Sequence, residues 1–252
     1  MKTKENVFAP TPASPAAQND PRQVMSRILP VLKRCYGPRR RPGRQDPVAV
    51  LVETILSQNT SAVNSPAGFE SLRRELPTWD AVADAPAGRI ERCIRVSGLA
   101  RTKAPRIRAI LREIRRRRGR IELDYLDGLT DDEVFAELTA FKGVGPKTAL
   151  CTMIFAMGRA VFPVDTHIFR IARRLGVLPE SVPFARAHER LAPLIAPKDR
   201  YAAHVLLIAH GRAVCKAGRP RCDQCRILAM CRHGRKRMAQ WGREKKGAVD
   251  RE

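Results

Sequence analysis

The sequence predicts an all-α protein. Apolar residues recur at three- and four-residue spacing in one segment after another, and capping residues stand just ahead of those stripes. No stretch alternates apolar with polar as a half-buried strand would. Asp46 and Pro47 read as a cap and first turn, followed by Val48, Leu51, Val52 and Ile55 on one face. Ile107, Ile110, Leu111 and Ile114 repeat the pattern, and the RRRRGR block behind them predicts a solvated helix end. Thr130 and Glu133 make a capping box ahead of Val134, Phe135, Leu138 and Phe141. Ile168, Ile171 and Leu175 form another stripe that stops at Gly176, and residues 203–209 form one more. No repeat of fixed period is present.

A chain of 252 residues can bury one large core or two smaller ones. Its 48 Lys+Arg against 25 Asp+Glu leave a net charge of +23, a surface that attracts polyanions, of which nucleic acid is the commonest in a cell. A ribosome-like basic surface fits the same charge, and an anionic membrane fits it less well. The longest apolar runs, such as VLLIA at 205–209, are too short to span a bilayer. Residues 1–22 are Pro/Ala-rich without an apolar signal core, and residues 235–252 are basic; both read as tails. Without a secretion signal, the expected location is cytoplasmic, nucleoid-associated if the source is bacterial.

FKGVGPKTA, at 141–149, joins two predicted helices through Gly143-Val144-Gly145, with Pro146 suited to the first helical position. Lys147 then falls in the first turn, where unpaired N–H groups and the helix dipole already present positive charge. The glycines allow close backbone approach, and the N–H groups of such a turn suit a phosphate. Such a turn also serves simply to join packed helices. Asp165, ahead of the 166–175 stripe, reads as an N-cap.

Seven cysteines without a secretion signal point to thiols serving packing or metals rather than disulfides. Cys35, Cys93 and Cys151 stand among apolar neighbours and are expected in the core. Cys215, Cys222, Cys225 and Cys231 follow the spacing C-x6-C-x2-C-x5-C, a metal-site pattern open to zinc or an iron–sulfur cluster.

FKGVGPKTA followed by FPVDTHIFRIARRLG resembles the helix-hairpin-helix DNA glycosylases, specifically the endonuclease III branch, over roughly residues 25–232. The resemblance implies that Lys147 is the nucleophile, Asp165 the second catalytic residue, and the four cysteines the holders of a 4Fe–4S cluster. An amine attacks only when unprotonated, and a helix N-terminus disfavours the ammonium, so the lysine's position becomes reasonable. Adenine-removing relatives lack a lysine there. ETILSQNTS, at 53–61, and SGLARTKA, at 97–104, resemble the family's two DNA-inserting loops, with Gln58 and Leu99 as the inserted residues. This chain has Gln58-Asn59-Thr60-Ser61 where better-known members have Q-A-T-D, and Ala100 where an aromatic is typical.

The implied fold is two helical subdomains with a DNA-binding cleft between them. One is a six-helix domain over 39–159 carrying the hairpin; the other combines 23–38 with 160–234 around the cluster. Gly143, Val144, Gly145, Lys216, Arg219 and Arg221 are the further expected DNA contacts. The implied function is a monomeric, bifunctional glycosylase and abasic-site lyase acting on oxidised pyrimidines in double-stranded DNA, with no membrane partner. A glycosylase for mismatched or modified bases and a catalytically silent DNA-binding module are the alternatives.

Overall fold

A computed structural model describes residues 20–61 and 63–249, with side chains as far as Trp241. The tail expected over residues 1–22 lies outside the described residues up to position 19. Among the described residues the chain forms twelve α-helices linked by short 3-10 turns, and no strand. They are α1 (Pro21–Tyr36), α2 (Pro47–Ser57), α3 (Asn64–Glu75), α4 (Trp79–Asp84), α5 (Ala87–Cys93) and α6 (Ala100–Arg118), followed by α7 (Asp131–Thr139) and α8 (Pro146–Thr152). The rest are α9 (Thr166–Leu175), α10 (Ala187–Leu191), α11 (Arg200–Ala213) and α12 (Arg232–Val249). None of the described helices is long and apolar enough to cross a membrane.

The chain divides into two compact units. One comprises residues 40–164 with 197–202; the other comprises the described residues through Arg39, Asp165–Ala196, and those from Ala203 on.

In the 40–164 unit, α2 is the central element. Asp46 starts it by accepting from Val48 N at 2.8 Å, and its second oxygen accepts from Trp79 Nε1 at 2.9 Å. Val48, Leu51, Val52, Ile55 and Leu56 are then buried, each contributing about 2 kcal/mol of apolar burial. Helix α2 packs on α3 and α8, α4 and α5 pack on α6, and α7 packs on α8. The capping box forms as predicted: Glu133 N donates to Thr130 Oγ1, and Glu133 Oε2 accepts from Thr130 N at 2.8 Å. A π turn over Met153–Met157 follows α8 and stops at Gly158.

The arginine block closing α6 is less free than the sequence suggests. Arg115 pairs with Asp80 and Asp84 on α4, Arg116 and Arg117 pair with Glu113, and Arg118 lies over the Tyr125 ring. The α4 aspartates on Arg115 are a pairing that one-dimensional spacing does not reveal, whereas Glu113 stands three and four residues from Arg116 and Arg117 on the same helix.

The other unit buries Val24, Met25, Ile28, Leu29 and Leu32 of α1 and Ile168, Ile171 and Leu175 of α9. Helix α9 packs against α12. Cys93 and Cys151 are buried as expected, but Cys35 is exposed, because the last turn of α1 turns that position to solvent. The basic C-terminal stretch read as a tail is helical to Val249. Its Arg, Lys, Met, Ala and Gln residues are good helix formers, with no proline to interrupt them.

Candidate functional site

In the turn between α7 and α8, Gly143 takes φ +93°, which only glycine adopts cheaply, and the Arg106 side chain lies against it. Val144 is buried and its N–H donates to Phe141 O at 2.9 Å, so this residue belongs to the core and presents only backbone. Gly145 is different. Its φ of −90° is ordinary, and it is exposed with open space where a Cβ would stand. As the N-cap it supplies no side chain, which leaves the first N–H groups of α8 to other partners.

Lys147 follows at the second position of α8. It is half-buried and makes no hydrogen bond or ion pair among the described residues. Its neighbour Thr148 is buried and accepts from Gln58 Nε2 at 3.1 Å. The other end of that amide, Gln58 Oε1, accepts from Arg106 Nη1 at 3.0 Å. Gln58, expected to point toward DNA, is thus turned inward, while Asn59 beside it is exposed with φ +50°. Leu99, the other residue expected to insert, is 55% exposed and also left-handed, at φ +50°.

Two further groups escaped sequence reasoning. Lys103 is 2% exposed and donates to Leu56 O at 2.7 Å, Thr60 Oγ1 at 2.7 Å and Ser97 O at 2.8 Å. Burial, with help from nearby Arg106, lowers its pKa. Glu53 on α2 is solvent-accessible, yet protein crowds its carboxyl enough that burial raises its pKa. One lysine or glutamate in a strongly charged chain carries no sequence mark of either environment.

In the other unit, Asp165 is the N-cap of α9: its Oδ1 accepts from Ile168 N at 2.8 Å, leaving the second oxygen for other work. His167 Nδ1 lies 3.0 Å from Arg170 Nη2, and Arg170 also reaches Gly211 O and Cys215 O, an arrangement that positions structure.

Cys215, Cys222, Cys225 and Cys231 all line one cavity of about 370 Å³, partly open to solvent, with Ile171, Leu175 and Ile227 as apolar wall. They surround this space instead of converging on one point; among the described residues no three ligand side chains meet as a single-ion site. Arg174 braces the loop by donating to Lys216 O, Ala217 O and Cys215 Sγ, the last at 3.2 Å. Gly234 N donates to Cys231 Sγ at 3.3 Å. His210, pushed down to about 4 by burial, sets Nε2 3.7 Å from Cys225 Sγ while Nδ1 lies 3.0 Å from Tyr36 Oη. Burial pushes the Cys225 thiol up to about 11 and raises Cys222 and Cys231 as well. Lys216, Arg219, Arg221 and Arg226 are exposed around the loop.

Gln58, Leu99, Gly143, Val144, Gly145 and Lys147 therefore share one unit. Asp165, the cysteines, Lys216, Arg219 and Arg221 share the other.

Residues 52–196 match the family model described as HhH-GPD superfamily base excision DNA repair protein. Endonuclease III of Sulfolobus acidocaldarius is 35% identical over 187 residues, covering 73% of this chain and 81% of the relative. Endonuclease III of Synechocystis is 32% identical over 217 residues, covering 83% and 92%. An Arabidopsis thaliana relative is 43% identical over 162 residues, which are 64% of this chain and 55% of that longer protein. A solved non-covalent endonuclease III–DNA complex superposes with a TM-score of 0.73 at 26% identity, over 86% of this chain and 98% of the other. The helix–turn–helix around Lys147, the all-helical fold and these likenesses agree: the chain belongs to the HhH-GPD superfamily of base excision DNA repair proteins.

Proposed function

We propose that this chain is a bifunctional DNA glycosylase and abasic-site lyase that removes oxidised pyrimidines from double-stranded DNA, acting as a monomer. The carrying observation is Lys147: a half-buried amine, tied by no hydrogen bond or ion pair among the described residues, at the open N-terminus of α8. The solved endonuclease III complexes include a trapped covalent intermediate with DNA, 27% identical to this chain with a TM-score of 0.73, which supports covalent chemistry here.

The damaged nucleotide must leave the stack, since its sugar carbon is otherwise shielded. Lys147 Nζ then forms a bond to C1′ as the glycosidic C1′–N bond breaks, and the base departs with a proton. The sugar ring opens to an imine, loss of a C2′ proton breaks the C3′–O bond, and water releases the lysine. Asp165 is suited to take the amine's proton or to oppose the cationic sugar through the oxygen that does not cap α9.

Cys215, Cys222, Cys225 and Cys231 would hold a 4Fe–4S cluster. The fit rests on four cysteines around one cavity and on N–H donors directed at two of the sulfurs. When bound, the cluster supplies a cross-link that fixes the loop; glycosidic cleavage needs no electron from it. Lys216, Arg219 and Arg221 then face outward for DNA phosphates, a salt-sensitive source of affinity.

Wild type incubated with borohydride and duplexes carrying thymine glycol, an abasic site, uracil or a mismatch tests this reading. The expected result is a trapped adduct and nicking with thymine glycol and the abasic site, lost in Lys147→Ala while DNA binding persists. Adduct at wild-type level in Lys147→Ala overturns the assignment. Excision of only mismatched bases selects the alternative glycosylase, and binding without nicking on every duplex selects a silent module.

A further inference from the structure

Two loops of the 40–164 unit carry the only non-glycine residues with positive φ among the described residues: Asn59 after α2 and Leu99 before α6, both at φ +50°. A left-handed leucine costs about 1 kcal/mol or more, and such strain persists only where the surroundings over-determine it. The same loops display Val63, Val96 and Leu99, which are 78%, 45% and 55% exposed. Exposed apolar side chains next to strained backbone mark a surface built to meet something apolar.

Between the loops lies Lys103. Its three donors are spent on Leu56 O in the last turn of α2, Thr60 Oγ1 in the loop that follows, and Ser97 O from the second loop. The Thr60 hydroxyl also contacts Ser97 O directly, and Ser97 Oγ reaches Asn64 O at the start of α3. Gly68 of α3 is packed so closely there that an added Cβ would lie 1.9 Å from Ser97 Oγ. None of the ammonium's three partners is a carboxylate, and a buried cation without a counter-ion is expensive to keep. A core that needed only filling would be served better by an apolar side chain. A tetrahedral head with three donors is what acceptors from the end of α2 and from both loops require.

We infer that Lys103 is a positioning residue that fastens both loops into one preformed wedge, so that Asn59 and Leu99 enter the base stack together as a nucleotide is extruded. This rests on the DNA-glycosylase reading above. Preorganisation spares the ordering entropy of two loops at the moment the duplex opens.

The test compares wild type, Lys103→Met and Thr60→Val. Thr60→Val removes a loop-to-loop bond and one of the ammonium's three acceptors but leaves it the carbonyls of Leu56 and Ser97, so it reports even if Lys103→Met folds poorly. Three measurements are made: nicking at an abasic site in single-stranded DNA, single-turnover excision of thymine glycol from duplex, and fluorescence of a 2-aminopurine opposite a duplex abasic site. Single-strand nicking should hold within about twofold while duplex excision falls about 10- to 100-fold and the fluorescence rise is lost. Equal losses on both substrates, or full duplex excision in both variants, overturn the proposal. If wild type nicks nothing, the glycosylase reading fails instead. The wedge is then still judged by fluorescence: a rise in wild type that Thr60→Val loses supports it, and equal signals refute it.

Discussion

Asp165 Oδ1 caps α9 by accepting from Ile168 N at 2.8 Å, so one carboxyl group serves both the fold and the proposed chemistry. The two roles separate by substitution. Asparagine caps about as well as aspartate, whereas alanine costs about 1 kcal/mol. Asp165→Asn should keep the wild-type urea midpoint, Asp165→Ala should lower it, and both should lose abasic-site nicking. Nicking at full rate in Asp165→Asn would show that the negative charge is not needed.

Glu53 gives a pH-dependent prediction. Its pKa is raised in the folded protein, so the fold takes up the proton before the unfolded chain does. Stability therefore increases as pH falls through the folded pKa and levels off below the unfolded value. At neutral pH the ionised form is the disfavoured one in the fold. Glu53→Gln should raise the urea midpoint at about pH 7 and leave it unchanged near pH 3.5, where wild type is already protonated. A lower midpoint at neutral pH would mean the carboxylate is stabilised by a partner instead.

Leu99 links strain with use. Glycine relieves a left-handed site and alanine does not, so Leu99→Gly should be about 1 kcal/mol more stable than Leu99→Ala by urea unfolding. Both should excise poorly from duplex DNA, because both lack the exposed apolar side chain. Equal stabilities would indicate that the left-handed backbone is not strained.

Much of the architecture could be read from residue order. The caps at Asp46, Thr130 and Asp165 and the stripes of α2, α6, α7 and α9 are local, set by residues within a turn or two. The lysine-bearing turn was legible for the same reason, since glycine, proline and lysine at fixed offsets already describe its chemistry. What could not be read depends on distant partners. Gln58 points inward because its amide donates to Thr148, 90 residues later, and accepts from Arg106. Lys103 becomes a brace only where Leu56 and Ser97 converge, and Cys35 escapes the core because of which side of α1 finds neighbours. Arg115, in the last turn of α6, is held by aspartates of α4 that no helical period connects to it.

The division of the chain also sets the order in which it can be built. Residues 40–164 leave the ribosome as one nearly continuous stretch, and their helices can pack as soon as they emerge. Helix α1 is made before them yet belongs with later segments: Tyr36 meets His210 across 174 residues of sequence. Its docking must wait while the entropy of closing that loop grows slowly with length. A nascent chain therefore completes the surroundings of Lys147 before Asp165 and the cysteines have joined their own unit. During synthesis, the amine and the carboxylate mature at different times.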